Sequence, residues 1–222
     1  SNPSGVSYSE EELAALGEVL VEHRDILIVT DDIYEHILWG QDKFVNIVNA
    51  CPELYDQTIV VNGVSKAYSM TGWRIGYVGG PESIIKGMKK IQSQSTSNAS
   101  SMAQAAAVAA LDGDQTYIKE STGIFKERHD FVLKSLQAID GINCLASEGT
   151  FYSFPDMNGL IEKLDGINND IELAEFFLEK AEVAMVPGSA FGAPGCMRIS
   201  FATSMENLEK SMERIKAALE SN

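Results

Sequence analysis

Two arginines stand where a charged side chain is unfavourable. The chain has only five arginines, and two of them interrupt apolar stretches. Arg74 lies between Thr71-Gly72-Trp73 and Ile75-Gly76-Tyr77, and Arg198 between Cys196-Met197 and Ile199-Ser200-Phe201. A guanidinium in such a setting must meet an anion if it is buried, and its fork suits a carboxylate or a phosphate bidentately. Taken alone, each is more often a structural arginine paired to one of the 32 Asp and Glu residues than a functional one. Lys66 follows the run Thr58-Ile59-Val60-Val61 through Asn62-Gly63-Val64-Ser65, and Asp31 follows Ile26-Leu27-Ile28-Val29-Thr30. Taken alone, these are an exposed loop lysine and a solvated strand end or helix cap.

Position sharpens the set. Ligands of open parallel sheets bind beyond the carboxyl ends of the strands, so an acid, a lysine and an arginine would converge on one rim. Partial desolvation beside another cation frees a lysine amine to attack a carbonyl. A phosphorylated aldehyde cofactor would use Arg74 for its phosphate, and a buried carboxylate such as Asp31 would keep a pyridine nitrogen protonated. Those roles describe a pyridoxal 5'-phosphate site. Rival motifs are weaker. Ser83-Ile84-Ile85-Lys86 fits S-x-x-K, but no S-D-N or K-T-G follows it, and Ser65-Lys66 lacks the rest of a hydrolase. No P-loop or G-x-G-x-x-G is present. Cys51, Cys144 and Cys196 have no zinc-ligand spacing with one another or with His23, His36 and His129, so no metal is expected. The loop Met185–Gly192 carries no chemistry of its own.

These residues need elements to hold them. Ser9 opens a capping box with Glu12 ahead of the stripe Leu13, Leu16, Val19, Leu20. The runs 26–30, 58–61 and 75–78 read as strands buried on both faces of an interior α/β sheet. Helices are expected over 83–94, 101–111 and 115–139, broken at Asp112-Gly113-Asp114. Beyond Gly141 the runs 142–145, 151–154 and 197–201 read as strands and 171–181 as a helix. A last helix starts on the capping box Thr203/Glu206 and carries Leu208, Met212, Ile215 and Leu219. The fold class is α/β with a mainly parallel sheet, followed by a smaller α+β domain; the expected division is 1–113 and 114–222.

With 222 residues, 45% of them hydrophobic, the chain can bury a real core. A net charge of −15 repels phosphate backbones and anionic lipid, so neither nucleic acid nor a membrane is an expected partner. No apolar run reaches the roughly 18 residues of a spanning helix. The opening SNPSGVSYSEEEL has no basic region ahead of an apolar stretch, so no signal peptide is expected, and reduced thiols in a cytoplasmic protein are.

The sequence closely resembles the fold-type I pyridoxal-phosphate enzymes, specifically class I/II aminotransferases of the bacterial aspartate aminotransferase kind. The segments that carry the likeness are Asn2-Pro3-Ser4-Gly5, Asp31-Asp32-Ile33-Tyr34, Ser65-Lys66-Ala67-Tyr68-Ser69-Met70-Thr71-Gly72-Trp73-Arg74-Ile75-Gly76, Gly149-Thr150-Phe151-Tyr152, Pro187-Gly188 with Phe191-Gly192, and Arg198-Ile199-Ser200-Phe201. The resemblance implies that Lys66 forms the Schiff base with the cofactor and then shuttles the proton. It implies that Asp31 pairs with the pyridine nitrogen, that Tyr34 and Asn2 bond the cofactor's 3-oxygen, that Arg74 with Ser65 binds its phosphate, and that Arg198 grips the substrate carboxylate. Trp73 and Tyr68 read as packing residues. The implied reaction moves an amino group between an amino acid, aspartate first, and 2-oxoglutarate; prephenate, aromatic or alanine-type transfer is the alternative. Such enzymes are homodimers about twice this length, so the resemblance implies a C-terminal portion of a longer chain. It lacks the phosphate loop and the ring-stacking aromatic, and could be a catalytically inert cofactor-binding fragment.

Overall fold

The computed structural model describes residues 1–41 and 43–221. Tyr8–Glu120 forms one compact unit, and Ser1–Ser7 with Ser121–Asn222 forms another. The change of unit thus falls inside a long helix rather than at 113/114, and the N-terminal segment belongs with the C-terminal half. Hydrogen bonds account for that segment. The Gly5 carbonyl accepts the N–H groups of Glu148 at 2.9 Å and Gly149 at 3.0 Å. The Glu148 carboxylate accepts the Ser7 N–H at 2.8 Å and its O–H at 2.6 Å. Gly5 has φ +74°, and a Cβ there would lie 2.6 Å from Ser147 Cβ, so only glycine allows the approach.

In Tyr8–Glu120, α1 (Glu10–Leu20) begins on the expected box: Ser9 accepts the Glu12 N–H, and the Glu12 side chain accepts the Ser9 N–H. Its Leu13 joins Val45, Ile47, Cys51 and Leu54 in a buried cluster that includes the short α2 (Ile47–Ala50). Beside it, β1 (Ile28–Asp31), β2 (Thr58–Asn62) and β3 (Tyr77–Gly79) lie in that order. β1 and β2 are parallel with Asp31 beside Val61, and β3 runs antiparallel with Tyr77 beside Asn62. Full burial of these strands was expected, yet Val29 is 61% exposed and Val61 37%. Apolar content sets what a strand can bury; a covering layer decides what it does bury, and the described residues of 8–120 supply none over Val29. Helices α3 (Glu82–Gln94) and α4 (Ser101–Asp112) follow, and α3 has no fully buried residue.

The long α5 (Thr116–Gln137) carries the chain from one unit to the next. The second unit then runs β4 (Tyr152–Ser153), α6 (Asn158–Ile161), α7 (Asp170–Phe176), β5 (Val186–Pro187), β6 (Met197–Ser200) and α8 (Met205–Glu220). Its sheet has the order β4-β6-β5 and both pairs are antiparallel. Val132, Leu136, Leu173, Phe177, Met197, Phe201 and Ile215 form its core. The stripe Leu208, Met212, Ile215 is buried as expected, but it ends on Ala218 rather than Leu219. The α8 cap is Ser204, which accepts the Asn207 N–H, one residue past the expected Thr203/Glu206 box. Residues 142–145 form no strand; only Asn143 bridges to Asp156. Among the described residues, no helix is long and apolar enough to cross a membrane.

Candidate active site

The site residues fall into two groups, one in each unit. In Tyr8–Glu120 the group gathers where the β1/β2 ladder ends. Its last rung is the Asp32 N–H to Val61 carbonyl bond at 2.9 Å, after which the two chains leave the sheet. Asp31 is exposed, and its Oδ1 accepts the Ile33 N–H at 3.2 Å in an Asx turn. The expectation of a buried Asp31 is therefore corrected: strand alternation puts it on the same face as exposed Val29. Asp32 is the buried acid, held by the Thr30 hydroxyl at 2.6 Å and by the Asn46 amide that also caps α2.

Lys66 is half-buried in a turn closed by the Ser69 N–H on its own carbonyl at 3.2 Å and by the Met70 N–H on the Ser65 carbonyl at 3.1 Å. Its Nζ lies 5.9 Å from the centre of the Tyr34 ring. The chain after Arg74 presses on this loop: a Cβ on Gly63 would lie 3.1 Å from Gly76 Cα, and one on Gly76 would lie 3.0 Å from the Asn62 carbonyl oxygen. Arg74 is not in a strand, because β3 begins only at Tyr77. It closes a 3-10 turn, Thr71–Trp73, in the left-handed region at φ 51°, with its Nη1 donating to the Thr71 carbonyl at 3.0 Å. It is exposed, and among the described residues no carboxylate pairs with it. Burial, and then the Glu35 carboxylate, push the Tyr68 and Tyr77 phenols up, so both stay protonated near neutrality. The Ser83/Lys86 reading finds no support: Lys86 pairs with Glu82 at 2.7 Å on the exposed side of α3.

In the second unit the structure brings Asn2 and Arg198 together. Arg198 Nη1 donates to Asn2 Oδ1 at 2.9 Å. The guanidinium lies 4.6 Å from the Tyr152 ring centre and 5.0 Å from that of Phe191. Again no carboxylate among the described residues pairs with it. Phe191 ends the turn Gly188–Phe191, where the Ser189 N–H donates to Asp170 Oδ2 at 2.7 Å. Burial alone would raise the Asp170 carboxyl, but the N–H and O–H donors of Ser189 and neighbouring backbone outweigh it and hold it below the usual range. Tyr152 and Phe191 were readable as motif members but not as partners of a guanidinium, because that partnership is created by the β4-β6-β5 sheet.

Residues 1–215 match the family described as aminotransferase class I and II. The chain belongs to that family. Its similarity to other class I and II aminotransferases runs from end to end. It is 57% identical to an aspartate/prephenate aminotransferase of Nitrosomonas europaea, over 99% of this chain and 56% of that one. An aspartate aminotransferase of Bacillus subtilis is 47% identical, again over 99% of this chain and 56% of the relative. The crystal structure of the Rhizobium meliloti aspartate aminotransferase superimposes with a TM-score of 0.94 at 47% identity, covering 99% of this chain and 56% of that one. An aromatic aminotransferase from Pyrococcus horikoshii gives 0.90 at 33% identity, over 99% and 58%. The chain thus spans about half the length of the relatives it matches.

Proposed function

We propose that this chain is part of an aminotransferase that exchanges an amino group between an amino acid, aspartate first, and 2-oxoglutarate, with pyridoxal 5'-phosphate held on Lys66. The observation that carries this reading is the donor set at the end of the β1/β2 ladder. A primary amine lies beside a phenol ring at 5.9 Å, with an exposed carboxylate at a strand end and a guanidinium with which no carboxylate among the described residues pairs. That set fits a cationic ring, a phosphate and an aldehyde. When bound, the cofactor supplies an aldehyde for amines and an electron-withdrawing ring.

The chain's own groups do the rest. Arg74, with the Ser65 hydroxyl, binds the phosphate, and Asp31 holds a proton at the ring nitrogen. Tyr34 would donate to the ring oxygen, a role that the family resemblance also gives Asn2. Lys66 Nζ would be the base that takes the proton from the substrate α-carbon onto its own amine. Arg198 holds the substrate α-carboxylate, for which its unneutralised fork is suited. The whole protein is proposed to act as a homodimer on free amino acids and 2-oxo acids. The Nitrosomonas relative's name also puts prephenate among the substrates to be tried.

The test adds pyridoxal phosphate to the purified chain, reduces it with borohydride and maps the tag by mass spectrometry. A tag on Lys66, absent from Lys66→Ala, is the expected result. Tag retained by that variant would remove Lys66 from the chemistry. A tag without turnover of aspartate and 2-oxoglutarate would mark this chain as a cofactor-binding piece.

A further inference from the structure

Beyond the rung from Asp32 to Val61, the loops that carry Tyr34 and Lys66 leave the sheet separately, and two contacts rejoin them. A Cβ on Gly63 would lie 3.2 Å from Ile33 Cδ1, so glycine lets that side chain seat against the Lys66 loop. Further out, Asn62 Nδ2 donates to Glu35 Oε1 at 2.7 Å, while Asn62 Oδ1 accepts the Gly63 N–H at 2.7 Å. These partners assign both ends of the amide: its donor faces the Tyr34 loop and its acceptor the Lys66 loop. A hydrogen bond to an ionised acceptor is about twice as strong as a neutral one, and this one is part-buried.

We propose that Glu35 and Asn62 are positioning residues that brace the Tyr34 loop to the Lys66 loop and so set the Lys66 amine against the Tyr34 ring. Glu35 directly follows Tyr34, and Asn62 is the last residue of β2 before the Lys66 turn, so the brace acts at the root of both loops. Other groups crowd the same carboxylate. His36 Nε2 lies 3.4 Å from Glu35 Oε1, and the His36 and Tyr68 rings meet edge-on at 6.2 Å. Tyr77 stands opposite Asn62 in the β2/β3 register. The Tyr68 and Tyr77 phenols are raised partly by the Glu35 charge, which places that charge within reach of both. At 2.7 Å the Asn62 amide makes a shorter contact with Glu35 Oε1 than His36 Nε2 at 3.4 Å, so Asn62 supplies the directional contact.

The proposal deepens the functional reading, resting on it only for one of two readouts. Asn62→Asp keeps the size of the side chain and its bond from the Gly63 N–H, but turns a carboxylate toward Glu35. Glu35→Gln keeps an acceptor oxygen for Asn62. The double variant restores a donor from the opposite side, the residue 35 amide now facing Asp. In the purified chain, amide hydrogen exchange over 63–67 and the rate of borohydride-trapped pyridoxal phosphate tagging of Lys66 are measured for all four forms. Asn62→Asp is expected to exchange about tenfold faster and tag about tenfold more slowly, with Glu35→Gln and the double variant within about threefold of the parent chain. Exchange over 63–67 unchanged by Asn62→Asp, or a double variant no better than Asn62→Asp, would overturn the brace. Should Asn62→Asp fail to fold, Glu35→Ala removes the acceptor without adding charge and is read in the same way. A parent chain that takes no tag on Lys66 defeats the functional reading alone, and the exchange comparison then decides the brace.

Discussion

Among the described residues no carboxylate pairs with Arg198, which suits the proposed hold on a substrate anion. Two aromatic faces and a neutral amide oxygen surround it, so the cation is oriented while its fork stays open to a carboxylate. Lysine offers neither a planar face for the rings nor a bidentate fork. Under the proposed function, Arg198→Lys should raise the KM for the amino acid about tenfold or more with a smaller effect on kcat, by steady-state kinetics; an unchanged KM would remove the clamp role. Glu148 gives a prediction in pH. The Ser7 O–H, then the Ser7 N–H, hold its carboxyl below the usual range. A value lowered by folding contributes stability above the ordinary carboxylate value of 4.5 and loses it as pH falls through the folded value. The exchange protection of the Ser7 amide should therefore be constant above about pH 5 and decline below it. Glu148→Gln should lower the protection and remove that decline.

Among the elements, the helices were the most legible part, because caps and stripes are local. The Ser9 box and the stripe of α8 needed only residues a turn apart. Thr203 and Ser204 are both sound caps, and the choice of Ser204 depends on how the chain leaves β6, which spacing does not record. Arg74 looked like a strand residue because its neighbours are apolar, but the 3-10 turn and left-handed φ are not written in hydropathy. Asp31 and Asp32 are adjacent acids after one apolar run, and only the covering of each face separates the exposed one from the buried one. The glutamate brace was invisible for the same reason: Glu35 and Asn62 meet only once β1 and β2 pair. Burial in α8 also carries a stability prediction. Ile215 is completely buried and Leu219 only half so. Ile215→Ala should cost about 2–5 kcal/mol in urea unfolding, and Leu219→Ala clearly less. Equal losses would mean that α8 packs on a different face.

At the scale of the molecule, two forces oppose each other. The net charge is −15, which keeps copies apart at low salt. Yet α3 exposes Met88 and Ile91, α4 exposes Met102, Val108 and Leu111, and β1 and β2 expose Val29 and Val61. Scattered apolar residues are normal on a surface, but two consecutive helices with this many exposed apolar side chains favour association. Charge repulsion reaches about 30 Å at about 0.01 M salt and only about 3 Å at about 1 M, whereas apolar contact does not weaken with salt. Sedimentation of the purified chain should accordingly show little self-association at low ionic strength and concentration-dependent association at high. Ile91→Glu with Met102→Glu should suppress the high-salt species. The reverse salt dependence would point to a different contact, in which Lys86, Lys89 and Lys90 of α3 meet the acidic remainder of another copy, and charge rather than apolar surface would then govern the encounter.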